Sequence, residues 1–148
     1  MISPKLILGL LIFILFVHIL ATINYWYWTY TWFDMPMHFL GGFWVATIFM
    51  WLNPKFNIIE IRPLNIDRNF WRSDLPKLIL VLGFVILIGV LWEFFEFGYD
   101  VLISSKGYFI AAQQGVGDTM SDLFFDLLGG IAFLVIGKLY LNKKSNIW

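Results

Sequence analysis

The feature that most constrains this chain is a long stretch without charge near its beginning. No residue between Lys5 and Asp34 carries a formal charge, and the segment from residue 6 to about residue 26 is mostly apolar. A helix needs about 20 such residues to cross the hydrocarbon core of a bilayer. Three later stretches are also apolar and long, so we predict four membrane spans, at about residues 6–26, 36–52, 78–97 and 119–141.

Composition indicates a membrane environment for the whole chain. Of the 148 residues, 60% are hydrophobic and 14% are charged, whereas about a quarter of a soluble domain is charged. Because lipid offers the backbone no hydrogen-bond partners, the spans are predicted to be helices. We therefore expect an all-α, polytopic membrane protein, in which residues 1–148 form a single four-helix transmembrane bundle with membrane lipids as partners.

Simple counts exclude two classes of function. Ten acidic residues balance ten basic residues, so the chain has no basic excess that would bind nucleic acid. The absence of cysteine excludes disulfides and thiolate metal sites. The first apolar stretch is too long for the core of a signal peptide and precedes no A-x-A cleavage site, so we expect it to remain as an uncleaved span.

The distribution of lysine and arginine predicts the orientation of the spans, because short loops rich in these residues stay in the cytoplasm. With four spans, both termini and the loop at residues 53–76 lie on one side of the membrane. The first connection and the loop at residues 98–117 lie on the other side. Nine of the ten basic residues fall on the first side and only Lys106 on the second. We expect a cell-membrane protein with both termini in the cytoplasm.

Acidic residues gather where three of the spans meet the outer face. Within each span they are three or four positions apart, so each set shares one helix face. Asp126 lies roughly 12 Å deeper along the helix axis than Asp118, well inside the hydrocarbon. The set consists of Asp34, His38, Glu93, Glu96, Asp118, Asp122 and Asp126.

Carboxylates at this depth require compensation, because a central Asp costs about 2.5–3.5 kcal/mol on insertion scales. Protonation is one solution and a bound cation is another. Since Lys106 is the only basic residue on that side, the sharper hypothesis is a divalent metal ion held by these seven residues. Oxygen ligands with one imidazole are compatible with Mg, Mn, Ca, Zn or Fe.

Several of these residues have structural interpretations as well. Asp34, two positions before Pro36, and Asp118 are natural helix caps. His38 could be a buried hydrogen-bonding residue, and Glu93 near a membrane boundary could be solvated, as could Glu96. Asp122 and Asp126 fit such interpretations least, because their depth makes solvation difficult.

Three ordered segments resemble a known family of membrane proteins. Residues 34–43 read DMPMHFLGGF, residues 92–96 read WEFFE, and residues 118–130 begin with DTMSDL and end with GG. Over about residues 31–137 the chain resembles the YjdF-type inner-membrane proteins, a family of unknown function. It is more loosely similar to the VanZ-like cell-envelope proteins, which are linked to glycopeptide-antibiotic tolerance. The resemblance implies that the shared residues form a site, without supplying a reaction.

Three functions remain open at this stage. The leading hypothesis is a metal-dependent hydrolase or transferase at the outer leaflet, with Glu93 or Glu96 as general base and a lipid-linked or phosphate-bearing substrate. The second is a cation or proton transporter, although the inner halves of the spans offer only His18 and Lys138 as polar side chains. The third is a non-catalytic membrane scaffold.

The predicted orientation can be tested with reporter fusions. A reporter active only in the cytoplasm should be active when fused after Trp148, because the basic residues flank that end. The same reporter inserted in the loop at residues 98–117 should be inactive. A periplasmic signal from the C-terminal fusion would instead put the acidic residues at the inner face.

Overall fold

The computed structural model describes residues 2–56, 75–107 and 111–145. Helix α1 spans Pro4–Ile23, the short helix α2 spans Trp26–Thr29, and α3 spans Asp34–Phe56. Helix α4 spans Leu75–Leu102 and is followed by a 3₁₀ helix at Ser104–Lys106, and α5 spans Val116–Ser145. Helices α3, α4 and α5 pack on one another, while α1 packs against α3.

Local sequence explains where α1 begins and ends. The Ser3 side chain accepts a hydrogen bond from the backbone N–H of Lys5, and Pro4 occupies the first turn, where its missing N–H is not needed. Asn24 caps the other end, and Tyr25 then adopts a left-handed conformation with φ of 58°. This conformation turns the chain into α2, which therefore lies beside the end of α1.

Two glycines bring the backbones of α3 and α5 into direct contact. A Cβ atom at Gly42 would collide with the backbone of Asp126, and one at Gly129 would collide with the backbone of Phe39 and Phe43. Small residues allow such close approach between helices in lipid. The prediction that the glycine pairs at 41–42 and 129–130 pack these two helices tightly beneath the acidic residues is thus confirmed for Gly42 and Gly129, whereas Gly130 faces Leu82 and Val85 of α4.

The bundle is polar at one end and apolar at the other. We call the end where α3 and α5 begin and α4 ends the site end. Away from it, α3 and α4 share a buried core of Val45, Ala46, Phe49, Val81 and Val85. Most of the large side chains of α1 are exposed apolar groups, as expected of a helix that faces lipid.

The predicted fold class is confirmed. Among the described residues, four helices are long and apolar enough to cross a membrane: Pro4–Ile23, Asp34–Asn53, Leu75–Lys106 and Val116–Lys138. The protein is therefore a multi-pass, all-α membrane bundle, whose orientation stays a prediction.

The loops between the long helices do not begin and end at the residues predicted from the sequence. The loop expected at 98–117 starts later, because α4 continues to Leu102; the spacing of Glu93, Glu96 and Asp100 continues one helical face. Residues 108–110 of this loop lie outside the described residues, as does most of the loop expected at 53–76, at residues 57–74.

The contact between α3 and α5 should be sensitive to a single methyl group. Gly42→Ala forces the two backbones apart and should cost about 1–3 kcal/mol through overpacking. Gly83→Ala is the matched control, because a Cβ there meets nothing within 4 Å and both variants gain the same helix propensity. Thermal unfolding in detergent should show a lower Tm for Gly42→Ala alone. Equal Tm values would contradict the proposed contact.

Candidate metal centre

Three of the predicted site residues come together between α3 and α5. Asp34, His38 and Asp122 each offer one ligand atom, and these atoms all lie within 4.8 Å of one another. His38 Nε2 lies 3.7 Å from Asp34 Oδ1 and 3.9 Å from Asp122 Oδ1. Asp34 and His38 are four residues apart on α3, so both side chains face α5.

A fourth residue contacts the other side of the imidazole. Asp126 Oδ2 lies 3.5 Å from His38 Nδ1. Its carboxylate fills the space that a side chain at Gly89 would need, because a Cβ there would collide with Asp126 Oδ2. The absence of a side chain on this turn of α4 therefore allows Asp126 to point toward α3 and α4 together.

Glu93 enters the same region from α4. Its Oε2 atom accepts hydrogen bonds from the Thr119 hydroxyl at 2.7 Å and from Gln113 Nε2 at 3.3 Å. Its Oε1 atom is buried without a hydrogen-bond partner. Glu93 follows Val85 and Gly89 at four-residue intervals, so it lies on the buried face of α4.

These five residues, Asp34, His38, Glu93, Asp122 and Asp126, form what we call the carboxylate–histidine site. Asp122 is 1% exposed, Glu93 5%, Asp126 6% and His38 8%. Both carboxylate oxygens of Asp122 are buried without a hydrogen-bond partner. Buried polar atoms normally have partners, so this orphaned carboxylate is the strongest sign that the site holds something else.

Two further predicted ligands lie at the rim. Glu96 is half-buried, and its Oε1 atom accepts a hydrogen bond from Trp92 Nε1 at 2.8 Å. Asp118 Oδ2 accepts a hydrogen bond from the backbone N–H of Gln114 at 3.1 Å. Asp118 is not the N-cap that the sequence allowed, because α5 begins two residues earlier at Val116; its bond reaches back to a backbone N–H ahead of the helix, as the second residue of a capping box does.

Two loops cover the site end. Asp100 accepts hydrogen bonds from the backbone N–H groups of Ala112 and Gln113, at 2.7 and 2.9 Å. Trp28 Nε1 donates to the Ala111 carbonyl at 3.0 Å, and Gln114 Nε2 donates to the Tyr27 carbonyl at 3.1 Å. These hydrogen bonds join residues 111–114 to α2, and Asp100 joins the same residues to α4. We call residues 111–114 together with α2 the cover.

His18 belongs to this end of the molecule, contrary to its expected position in the inner half of the first span. Its Nδ1 atom lies 2.8 Å from the Tyr27 hydroxyl. Burial, followed by the charges of Asp34 and Glu96, raises the pKa of Tyr27 above its ordinary value. Tyr27 therefore stays protonated and can donate its hydrogen to His18.

The sequence identified the acidic residues but missed those that hold them. Thr119 could have been found, since it lies three positions before Asp122 on the same helical face. Gly89 could have been found in the same way, four positions before Glu93. Gln113 offered no signal, because a loop residue has no periodicity that relates it to a helix.

Comparisons with known proteins place the chain among membrane proteins without a stated activity. A family model described as "Predicted membrane protein (DUF2238)" matches residues 2–143. A relative from Thermotoga maritima, described as "Uncharacterized protein", is 30% identical over 113 residues, which cover 76% of this chain and 49% of that protein. The chain thus spans about half the length of this curated relative. No solved structure matches it.

The hydrogen bonds of Asp100 should keep the backbone of Ala112 and Gln113, which belong to the cover, in place. Asp100→Asn replaces one acceptor oxygen with an NH₂ group facing a backbone N–H, which should cost about 1–3 kcal/mol locally. Amide hydrogen exchange at residues 112–113 should therefore be faster. Ser105→Ala is a suitable control, because Ser105 bonds only the carbonyl of Val101 among the hydrogen bonds described. Unchanged exchange in Asp100→Asn would disprove the anchoring role.

Proposed function

The chain belongs to the membrane-protein family described as "Predicted membrane protein (DUF2238)", and we propose that it binds a divalent cation at the carboxylate–histidine site. The observation that carries this proposal is Asp122, whose two buried oxygens lack hydrogen-bond partners while one of them lies 3.9 Å from His38 Nε2. An unpaired buried carboxylate is strongly unfavourable, and a cation is a direct way to compensate it.

The site offers ligands of the right kind. Asp34 Oδ1, His38 Nε2 and Asp122 Oδ1 would form the metal's ligand set, because they are the mutually close atoms. Carboxylate oxygens with one imidazole suit hard or borderline divalent ions such as Mg, Mn, Ca, Zn or Fe. The absence of thiolate ligands argues against soft metals.

Asp126 has a separate role in this proposal. Imidazoles that bind metal with one nitrogen commonly donate from the other nitrogen to a carboxylate, which fixes the ring and its tautomer. Asp126 Oδ2 lies 3.5 Å from His38 Nδ1, where it can orient Nε2 toward Asp34 and Asp122. Asp126 would therefore hold His38 in place rather than bind the ion.

The surroundings favour an anionic substrate. Helices α3 and α5 both begin at the site end, and the positive ends of their dipoles favour phosphate or carboxylate groups. We therefore infer a metal-dependent hydrolase or transferase whose substrate is a phosphate-bearing lipid of the outer leaflet. The metal would polarise a phosphoryl oxygen.

Glu96 would move the proton in this proposal. Its carboxylate lies at the rim, where only the Trp92 bond is described. In hydrolysis of a lipid diphosphate, a water oxygen would bond to the terminal phosphorus and a proton of that water would pass to Glu96. The bond from this phosphorus to the bridging oxygen would break, and the lipid monophosphate would leave with that oxygen and take up the proton from Glu96.

Transport is less well supported. Below the site, α3 and α4 are joined by the apolar residues Val45, Phe49, Val81 and Val85. A path for ions across the bilayer would need charged or titratable groups at that depth, whereas the buried polar residues described on this part of α3 are the neutral Thr47 and Asn53. A scaffold role would follow if the protein binds metal but turns over no lipid.

We further propose that this family is the YjdF-type family that residues 34–43, 92–96 and 118–130 resemble. The shared segments contain the residues of the carboxylate–histidine site. The looser resemblance to VanZ-like proteins gains no support from the comparisons, so we base no function on it.

Metal binding should stabilise the folded protein. Because the ion binds the folded state, a hundredfold excess over the Kd should add about 2.7 kcal/mol to the free energy of unfolding. Thermal melting in detergent should therefore shift upward with the correct divalent ion and downward with a chelator. Asp122→Asn should abolish both shifts, because it removes the carboxylate charge while keeping the shape of the side chain.

The control and the enzymatic assay separate the alternatives. Ser105→Ala removes a hydroxyl from the 3₁₀ helix outside the site and should retain the metal-dependent shift. Release of inorganic phosphate from a polyprenyl diphosphate should depend on the metal and fall about 10²–10⁴-fold in Glu96→Gln. A parent protein that contains no metal and melts identically with chelator and with divalent ions would overturn the metal site.

A further inference from the structure

The carboxylate–histidine site contains more unpaired oxygen atoms than one cation would use. The group around His38 Nε2 involves Asp34 Oδ1 and Asp122 Oδ1. Beyond these atoms, three buried oxygens have no hydrogen-bond partner: Asp122 Oδ2, Glu93 Oε1 and Asp126 Oδ2. Asp126 Oδ2 lies 3.5 Å from His38 Nδ1, so Asp122 Oδ2 and Glu93 Oε1 are the two oxygens left to bind something else. They belong to α5 and α4, and a ligand that contacts both would lie between these helices.

The hydrogen bonds of Glu93 show which way its carboxylate faces. Thr119 and Gln113 both donate to Oε2, so Oε1 is the atom left toward the site. Thr119 and Asp122 are three residues apart on α5 and share a face. Since Glu93 touches Thr119, its carboxylate lies about one helical turn from that of Asp122.

Charge balance points to the same conclusion. Four carboxylates, from Asp34, Glu93, Asp122 and Asp126, surround one imidazole, and the ion-pair contacts described for them all involve His38. Lys106, the basic residue described at the site end, is exposed on the 3₁₀ helix. A single divalent cation would leave the four carboxylates undercompensated in a buried site, whereas two such cations match their charge.

We propose that the site holds two divalent cations bridged by Asp122. The first would bind Asp34, His38 and Asp122, and the second would bind Asp122 and Glu93. This inference rests on the proposed metal site and deepens it. Carboxylate-bridged ion pairs are suited to phosphoryl groups, because each ion can hold one of the exchanging oxygens. Thr119 and Gln113 are positioning residues, since they act on the second ion only through Glu93.

The test is the number and coupling of Mn²⁺ ions bound to the purified full chain in detergent. Equilibrium dialysis should give two ions per chain, and electron paramagnetic resonance should show a spin-coupled pair. Glu93→Gln should retain one uncoupled ion. Gly83→Ala is the control on the same helix, where a Cβ meets nothing within 4 Å, and it should keep the coupled pair.

A second pair of variants separates positioning from folding. Thr119→Val removes the donor to Glu93 Oε2 and should weaken the second ion about 10–100-fold, while Thr119→Ser keeps the hydroxyl and should restore binding. One ion in the parent protein, with Glu93→Gln unchanged, would overturn the paired centre and leave the single-metal proposal standing. No bound ion in the parent protein would overturn both.

Discussion

The arrangement depends on one contact, the approach of α3 and α5 at Gly42 and Gly129. Neither position has room for a Cβ atom, because each glycine lies against the other helix's backbone. His38 precedes Gly42 by one helical turn, and Asp126 precedes Gly129 by about the same interval. The backbone contact therefore sets the distance at which the imidazole meets the carboxylates. Small residues provide this proximity in lipid, where the hydrophobic effect does not drive helices together.

From this contact the protein divides into two regions with different energetics. Around Val45, Phe49, Val81 and Val85 the helices are held together by packing of apolar side chains. These side chains need no hydrogen-bond partner, so a surrounding of lipid does not destabilise them. At the site end, the buried oxygens of Glu93, Asp122 and Asp126 lack hydrogen-bond partners, and such atoms are unfavourable in a medium of low polarity. The stability of this end is therefore linked to whatever occupies it, while the apolar half provides a framework that does not depend on occupancy.

The sequence predicted the helices and the identity of the acidic residues because both leave periodic signals. A charge-free stretch before Asp34 indicates a membrane span, and intervals of three and four place Asp122 and Asp126 on one face. The neighbours of each side chain depend on how helices rotate against each other, which no single helix encodes. For this reason the sequence did not predict that Asp126 occupies the space beside Gly89. It also did not predict the hydrogen bond that Gln113 donates to Glu93. The extent of α4 was underestimated because Gly98 and Asp100 interrupt its apolar run and resemble the start of a loop.

The order of the helices along the chain has a consequence for biosynthesis. The residues of the site are divided between α3, near the start, and α5, the last long helix. During synthesis, α3 with His38 therefore emerges from the ribosome before Asp122 and Asp126. Each of these acids would enter lipid alone at a cost of about 2.5–3.5 kcal/mol. Helix α3, with its imidazole and glycines already in place, offers α5 a polar surface, so insertion of the last helix and completion of the site become the same event.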